Sequence, residues 1–142
     1  MSNGRNSISL LTLLCLFMVT LTACLEKRTQ DPEKVYRYWS GGEEPPMDVH
    51  VVQGRYWESP HWSKEFELYI EIYAPKDWRE RLIKGNNLQR AKEQREAPAD
   101  APGWFRPDGK MELLMAKPGS AADIELYMDT TSGHLLLHAV QL

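Results

Sequence analysis

The chain has 142 residues, 17 of them basic and 20 acidic, with a formal net charge of −3, two cysteines and five tryptophans. That length suits one domain, two cysteines cannot build the disulfide framework of a small secreted fold, and an acidic balance without a basic run argues against nucleic acid as a partner. At 42% hydrophobic and 10% aromatic residues the chain is too apolar to stay disordered.

The first segment differs from all that follows. Arg5 is the one charged side chain before Glu26, and Ile8 to Leu21 (ISLLTLLCLFMVTL) has no charge, Gly or Pro. The run is shorter than the ~20 residues of a spanning helix and fits the apolar region of a secretory leader. No second stretch of that kind follows, so no spanning helix is expected after it. Leu21-Thr22-Ala23-Cys24 closes the run and resembles the lipobox of bacterial lipoprotein precursors. The resemblance implies cleavage before Cys24, a diacylglyceryl thioether on its sulfur and further acylation, with chains such as palmitate. An ordinary leader or an uncleaved signal anchor uses the same apolar run without needing a thiol at position 24. Cys15 would be discarded with residues 1–23, leaving Cys24 as the only remaining cysteine. Leu25 in place of Asp implies, by the same resemblance, sorting to the outer membrane with the domain facing the periplasm; the inner membrane is the alternative. Losing Arg5 takes the net charge from −3 to −4.

Residues 24–31 are expected to form the lipidated cysteine and a polar tether, and 32–142 one globular periplasmic domain. Asp31-Pro32 supplies an N-cap and a first-turn proline. Val35, Tyr38 and Trp39 then make a short apolar stripe at helical spacing, ended by Gly41-Gly42. Val49 to Trp57 is rich in strand formers, with Gly54 as a candidate bulge. Phe66 to Tyr73 alternates: Phe66, Leu68, Ile70 and Ile72 point one way, and Glu67, Tyr69, Glu71 and Tyr73 the other, which predicts a strand with one solvated face. The two runs form a hairpin around 57–64. Residues 76–84 predict a helix with Trp78 and Leu82 on one face and an Asp77–Arg81 pair. Residues 89–102 hold no large apolar side chain and predict a mobile polar loop. Residues 111–116, 124–129 and 134–142 predict three more strands, the last two joined by a turn at Thr130 to Gly133. The expected fold is α+β, an antiparallel sheet of about five strands with one or two short helices packed on one face; a small β-sandwich is the alternative.

Little of this pattern carries chemistry. His134 and His138 have helical ligand spacing but sit in a strand, where four residues separate their Cα atoms by about 13 Å, too far for one metal ion. Neither a nucleophile elbow nor a phosphate-binding glycine loop is present, and Ser59 with His61 in a turn does not make a triad. Glu67 and Glu71 share a strand face about 13 Å apart, and Glu125 is a candidate cross-strand partner. No catalytic residue, cofactor or metal is assigned. The aromatic residues in irregular stretches say more. Trp57, His61, Trp62, Trp104 and Phe105 are either core anchors or partner contacts, with Arg55, Arg79 and Arg106 as candidate flanks. The expectation is a non-enzymatic, lipid-anchored periplasmic module that binds another envelope protein, as assembly accessory or immunity-type inhibitor. A peptidoglycan- or glycan-binding (or glycan-active) protein and a structural tether between membrane and wall are the alternatives. Tryptophans on one convex face favour a protein partner; tryptophans in a groove with Glu favour a glycan.

Overall fold

Asp31 starts the first helix: its carboxylate accepts from the backbone N–H groups of Glu33 and Lys34, and Pro32 occupies the first turn, where a missing N–H costs nothing. Helix α1 (Pro32–Trp39) buries Val35 and Tyr36 and ends at Gly41 and Gly42, with φ of +78° and +105°. Tyr38 does not belong to the buried stripe; it is 45% exposed and lies beside the Tyr56 ring. These elements belong to a computed structural model that describes residues 26–60 and 65–142. The leader, Cys24, Leu25, His61 and Trp62 lie outside the described residues.

The remaining elements are β1 (Lys27–Thr29), β2 (His50–Glu58), β3 (Phe66–Tyr73), α2 (Lys76–Gly85), β4 (Gln89–Arg90), β5 (Glu112–Met115), β6 (Asp123–Met128) and β7 (His134–Gln141). They build one antiparallel sheet in the order β1-β2-β3-β7-β6-β5-β4. The α+β class with an antiparallel sheet holds. The count of five strands does not, because β1 and β4 pair as short edge strands. Both are wholly polar, KRT and QR, and edge strands need no apolar face to pair their backbones. The stretch expected as a tether is therefore partly sheet: Lys27 sits opposite Glu58 and Thr29 opposite Tyr56.

One face is packed by the helices. Leu68, Ile70 and Ile72 of β3 join Leu135, Leu137 and Ala139 of β7 under Val35, Tyr36, Trp78 and Leu82. Gly54 has a packing role rather than a bulge role. A Cβ added there would lie 2.8 Å from the Cβ of Val35, so α1 crosses β2 over the missing side chain. The register shift falls instead between Val51 and Gln53. Asp129 organises the β6–β7 turn by accepting from the Thr131 N–H and the Ser132 hydroxyl. Gly133, at φ +79°, lets the turn close against the Ala74 carbonyl.

The other face is covered too, which corrects the solvated Glu/Tyr face and the mobile loop. Residues 91–111 fold across it, and a second cluster forms from Tyr69, Phe105, Met111, Leu113, Tyr127 and Leu136, with Ala97, Ala101 and Trp104 packed against it. Residues 91–102 add only alanine methyl groups to the cluster; the bulk comes from the sheet and from Trp104, Phe105 and Met111 at the far end of the segment.

Gly54→Ala should push α1 off β2 and lower the unfolding free energy by about 1–3 kcal/mol, as overpacking of a closed contact does. Urea unfolding followed by circular dichroism measures it.

Candidate functional site

On the loop-covered face, register sets one row of side chains across four strands. Arg55 of β2 stands opposite Tyr69 of β3, Tyr69 opposite His138 of β7, and His138 opposite Glu125 of β6. The Arg55 guanidinium carbon lies 4.6 Å from the centre of the Tyr69 ring, and the His138 ring stacks on that tyrosine at 4.4 Å and 17°. Such contacts are short because directly opposed residues place their Cβ atoms about 5 Å apart.

The row is tied by carboxylates. His138 is 8% exposed, with Nε2 3.3 Å from Glu67 Oε1 and Nδ1 3.6 Å from Glu125 Oε2. The Tyr69 hydroxyl lies 3.1 Å from both Glu67 Oε1 and Asp100 Oδ1. Burial, reinforced by Glu67 and Asp100, raises the Tyr69 pKa, so this hydroxyl stays protonated and donates. Glu125 is held below the ordinary glutamate value by its bond to His138, against the opposing effect of burial, with Arg95 adding to the depression. A second unit repeats the geometry four residues along. Tyr73 stacks on His134 at 4.7 Å and 15°, and His134 Nε2 lies 2.9 Å from Glu71, which also accepts from the Gln53 amide.

This network clasps the loop. Arg55 donates to the Asp100 carbonyl at 3.0 Å, Arg95 reaches Glu125 at 3.3 Å, and the Tyr127 hydroxyl donates to the Glu96 carbonyl at 3.4 Å. Phe105, 2% exposed, is the plug, edge-on to Tyr69 at 5.0 Å and to Tyr127 at 5.9 Å. Chemically the arrangement is closed. Both His138 nitrogens face carboxylates and its ring is covered, so neither nitrogen is open to a substrate. Among the described residues no group of three or more His, Cys, Asp or Glu is placed to hold a metal ion.

Beside the network the surface opens into a cleft of about 560 Å³ lined by Arg28, Gln30, Arg55, Trp57 and Glu67, among others. Trp57 is half-buried there, its indole N–H donating to Glu26, which Arg28 also engages at 2.6 Å. Arg28 and then Trp57 hold the Glu26 carboxyl below its usual range. Glu67 belongs to both regions, with Oε1 on His138 and Tyr69 and Oε2 3.8 Å from Arg55 at the cleft.

The candidate contact residues thus separate. Trp57 lines the cleft. Phe105 is core and has no surface to offer a partner, and Trp104 packs half-buried against it. His61 and Trp62 lie outside the described residues. Of the candidate flanks, Arg55 reaches the cleft, while Arg79 donates to the carbonyls of Asp129 and Thr130 at the β6–β7 turn and Arg106 is exposed next to the plug. Glu67 and Glu125 straddle His138 instead of facing each other. Sequence reasoning missed Arg28 and Glu26, which looked like tether; the pairing of β1 that brings them to Trp57 has no apolar signal.

Phe105→Ala should cost about 3–5 kcal/mol, typical of a buried phenylalanine. Limited proteolysis should then cut within residues 91–111, a segment the parent protein keeps intact under the same conditions.

Acid should loosen the clasp through Glu125. A carboxyl whose folded pKa is depressed contributes stability that is complete above its unfolded value, about 4.3, and lost as pH falls through the lower folded value. Unfolding free energies measured between pH 6 and pH 3 should therefore fall less steeply for Glu125→Gln than for the parent.

Family models, characterised proteins and solved structures provide no match to this chain, which leaves the geometry of the cleft and its network to carry the functional reading.

Proposed function

We propose that the chain is a lipid-anchored binding module of the bacterial envelope, held through Cys24 on the periplasmic face of the outer membrane, and that it takes a partner protein at the Trp57 cleft. The observation that carries this reading is the placement of Trp57. A large aromatic stands half-buried in an open cleft with two guanidinium groups and a carboxylate beside it, the side-chain types that concentrate binding energy at interfaces. Binding is favoured over catalysis because the one buried imidazole among the described residues is enclosed by Glu67, Glu125 and Tyr69. The lipobox at Leu21 to Cys24 supports the anchor, since stable membrane attachment needs two or more acyl chains and the lipoprotein pathway supplies them.

A glycan is the second reading, favoured by Glu67 and Arg55 sharing the cleft with Trp57. An indole face accepts the C–H face of a pyranose, while a carboxylate and a guanidinium pair with neighbouring hydroxyls.

Crosslinking of the full-length tagged protein in native membranes, read by mass spectrometry, distinguishes the two. A stoichiometric protein partner should be captured, and folded Trp57→Ala should bind it about 30-fold more weakly, the loss of a ~2 kcal/mol hot spot. Retention on peptidoglycan with no protein partner would replace the first reading by the second. Cys24→Ala should abolish metabolic acyl labelling; unchanged labelling would overturn the anchor.

A further inference from the structure

The described chain begins at Glu26 and is paired into the sheet from Lys27, opposite Glu58. Two residues, Leu25 and Glu26, separate Lys27 from Cys24, and the three chain steps between them span at most about 10 Å. Strand register carries the level of Lys27 across the sheet. Glu58 lies opposite Phe66, Phe66 opposite Gln141, and Val140 opposite Asp123. The start of β1, the β5–β6 turn and the exposed Leu142 therefore share one end of the sheet. The other end holds the β6–β7 turn, the start of α2 and the Tyr73–His134 stack. Eight-residue strands put the two ends about 25 Å apart.

We infer that the end of the sheet carrying Lys27 and the β5–β6 turn rests against the lipid headgroups, with the strands standing away from the bilayer and the β6–β7 turn outermost. The inference rests on the proposed acylation of Cys24. What sets the orientation is covalent reach: a domain paired from the third residue after its anchor has no tether with which to turn over. Among the described residues charge does not set it, since Lys27 at this end is paired with Glu58, and Asp123 stands near Lys117 in sequence across the turn. Among the described residues at this end, Leu142, 91% exposed, is an apolar group offered to the interface. The consequence reaches the cleft. Arg28, Trp57 and Glu67 each lie one residue inward from Lys27, Glu58 and Phe66, so the cleft opens within about 15 Å of the leaflet and takes a protein segment presented at that height.

The test uses the full-length acylated protein, purified from membranes and placed in phosphatidylethanolamine–phosphatidylglycerol vesicles. Single cysteines are introduced by Ala121→Cys in the β5–β6 turn or by Thr131→Cys in the β6–β7 turn. Both positions are exposed, and the acylated Cys24 sulfur is a thioether that does not react with the label. With a nitroxide carried on the lipid headgroup, fluorescence of a label at 121 should be quenched several-fold more than at 131. Equal or reversed quenching in a sample whose N-terminal peptide carries the acyl mass would overturn the orientation and leave the anchor standing. An N-terminal peptide without that mass would overturn the anchor, and the orientation with it.

Discussion

A tyrosine hydroxyl and an imidazole lie against the centre of the sheet, and the loop-covered face is arranged around keeping both of them paired. A buried hydroxyl left without a partner costs about 1–3 kcal/mol, and an unpaired buried charge more. Glu67 answers both groups with one oxygen, while Asp100 backs it at Tyr69 and Glu125 backs it at His138. Each buried polar group thus has two carboxylates beside it, and one of each pair is delivered by β3 itself. Asp100 comes from the loop, so the loop is needed to complete the tyrosine's surroundings, just as Phe105 is needed to complete its apolar packing. Polar and apolar closure depend on the same segment.

The repetition along β3 and β7 has a simple origin. A strand alternates faces, so Glu67, Tyr69, Glu71 and Tyr73 share one side, and an antiparallel partner meets them at fixed offsets. His138 and His134 each stack on the tyrosine directly opposite and reach the glutamate two residues before it. The two units differ in their cover. The His138 unit lies under the loop, whereas the His134 unit ends on Tyr73, which is exposed. One local sequence pattern therefore yields a buried tie at the middle of the sheet and a surface pair at its end.

The alternation of residues 66–73 made β3 and its facing pattern legible in the sequence, and Asp31-Pro32 did the same for the start of α1. What stayed hidden follows from physics as well. Strands β1 and β4 pair through backbone alone, and their side chains carry no period. The covering of the second face has one signal in the sequence: Leu135, Leu136 and Leu137 are consecutive, and a strand apolar on both sides is a strand buried on both sides. Residues 89–102 lack large apolar groups and so predict a mobile loop, but their alanines pack into a cluster whose bulk is supplied by Tyr69, Tyr127 and the nearby Phe105. The cleft could not be read because it joins Glu26 and Arg28 to Trp57 across a strand pairing with no side-chain signature.

Glu67 and Arg55 make the cleft and the loop parts of one balance. The same Arg55 nitrogen that faces Glu67 at 3.8 Å donates to the Asp100 carbonyl at 3.0 Å and lies 3.6 Å from the Asp100 carboxylate. A ligand that engages this guanidinium from the cleft side competes with Asp100 for it, and one that engages Glu67 competes with Arg55. Binding free energy and loop closure are then linked, and linkage is reciprocal: whatever tightens the hold of Asp100 on Arg55 weakens a ligand that must displace it, by the same factor in both directions. The exposed character of these pairs keeps each tie small, of the order of 1 kcal/mol or less. Phe105 and the buried Tyr69–His138 stack hold the loop on its apolar side, so the partner proposed for the cleft would meet a surface that adjusts at its rim over a fixed floor.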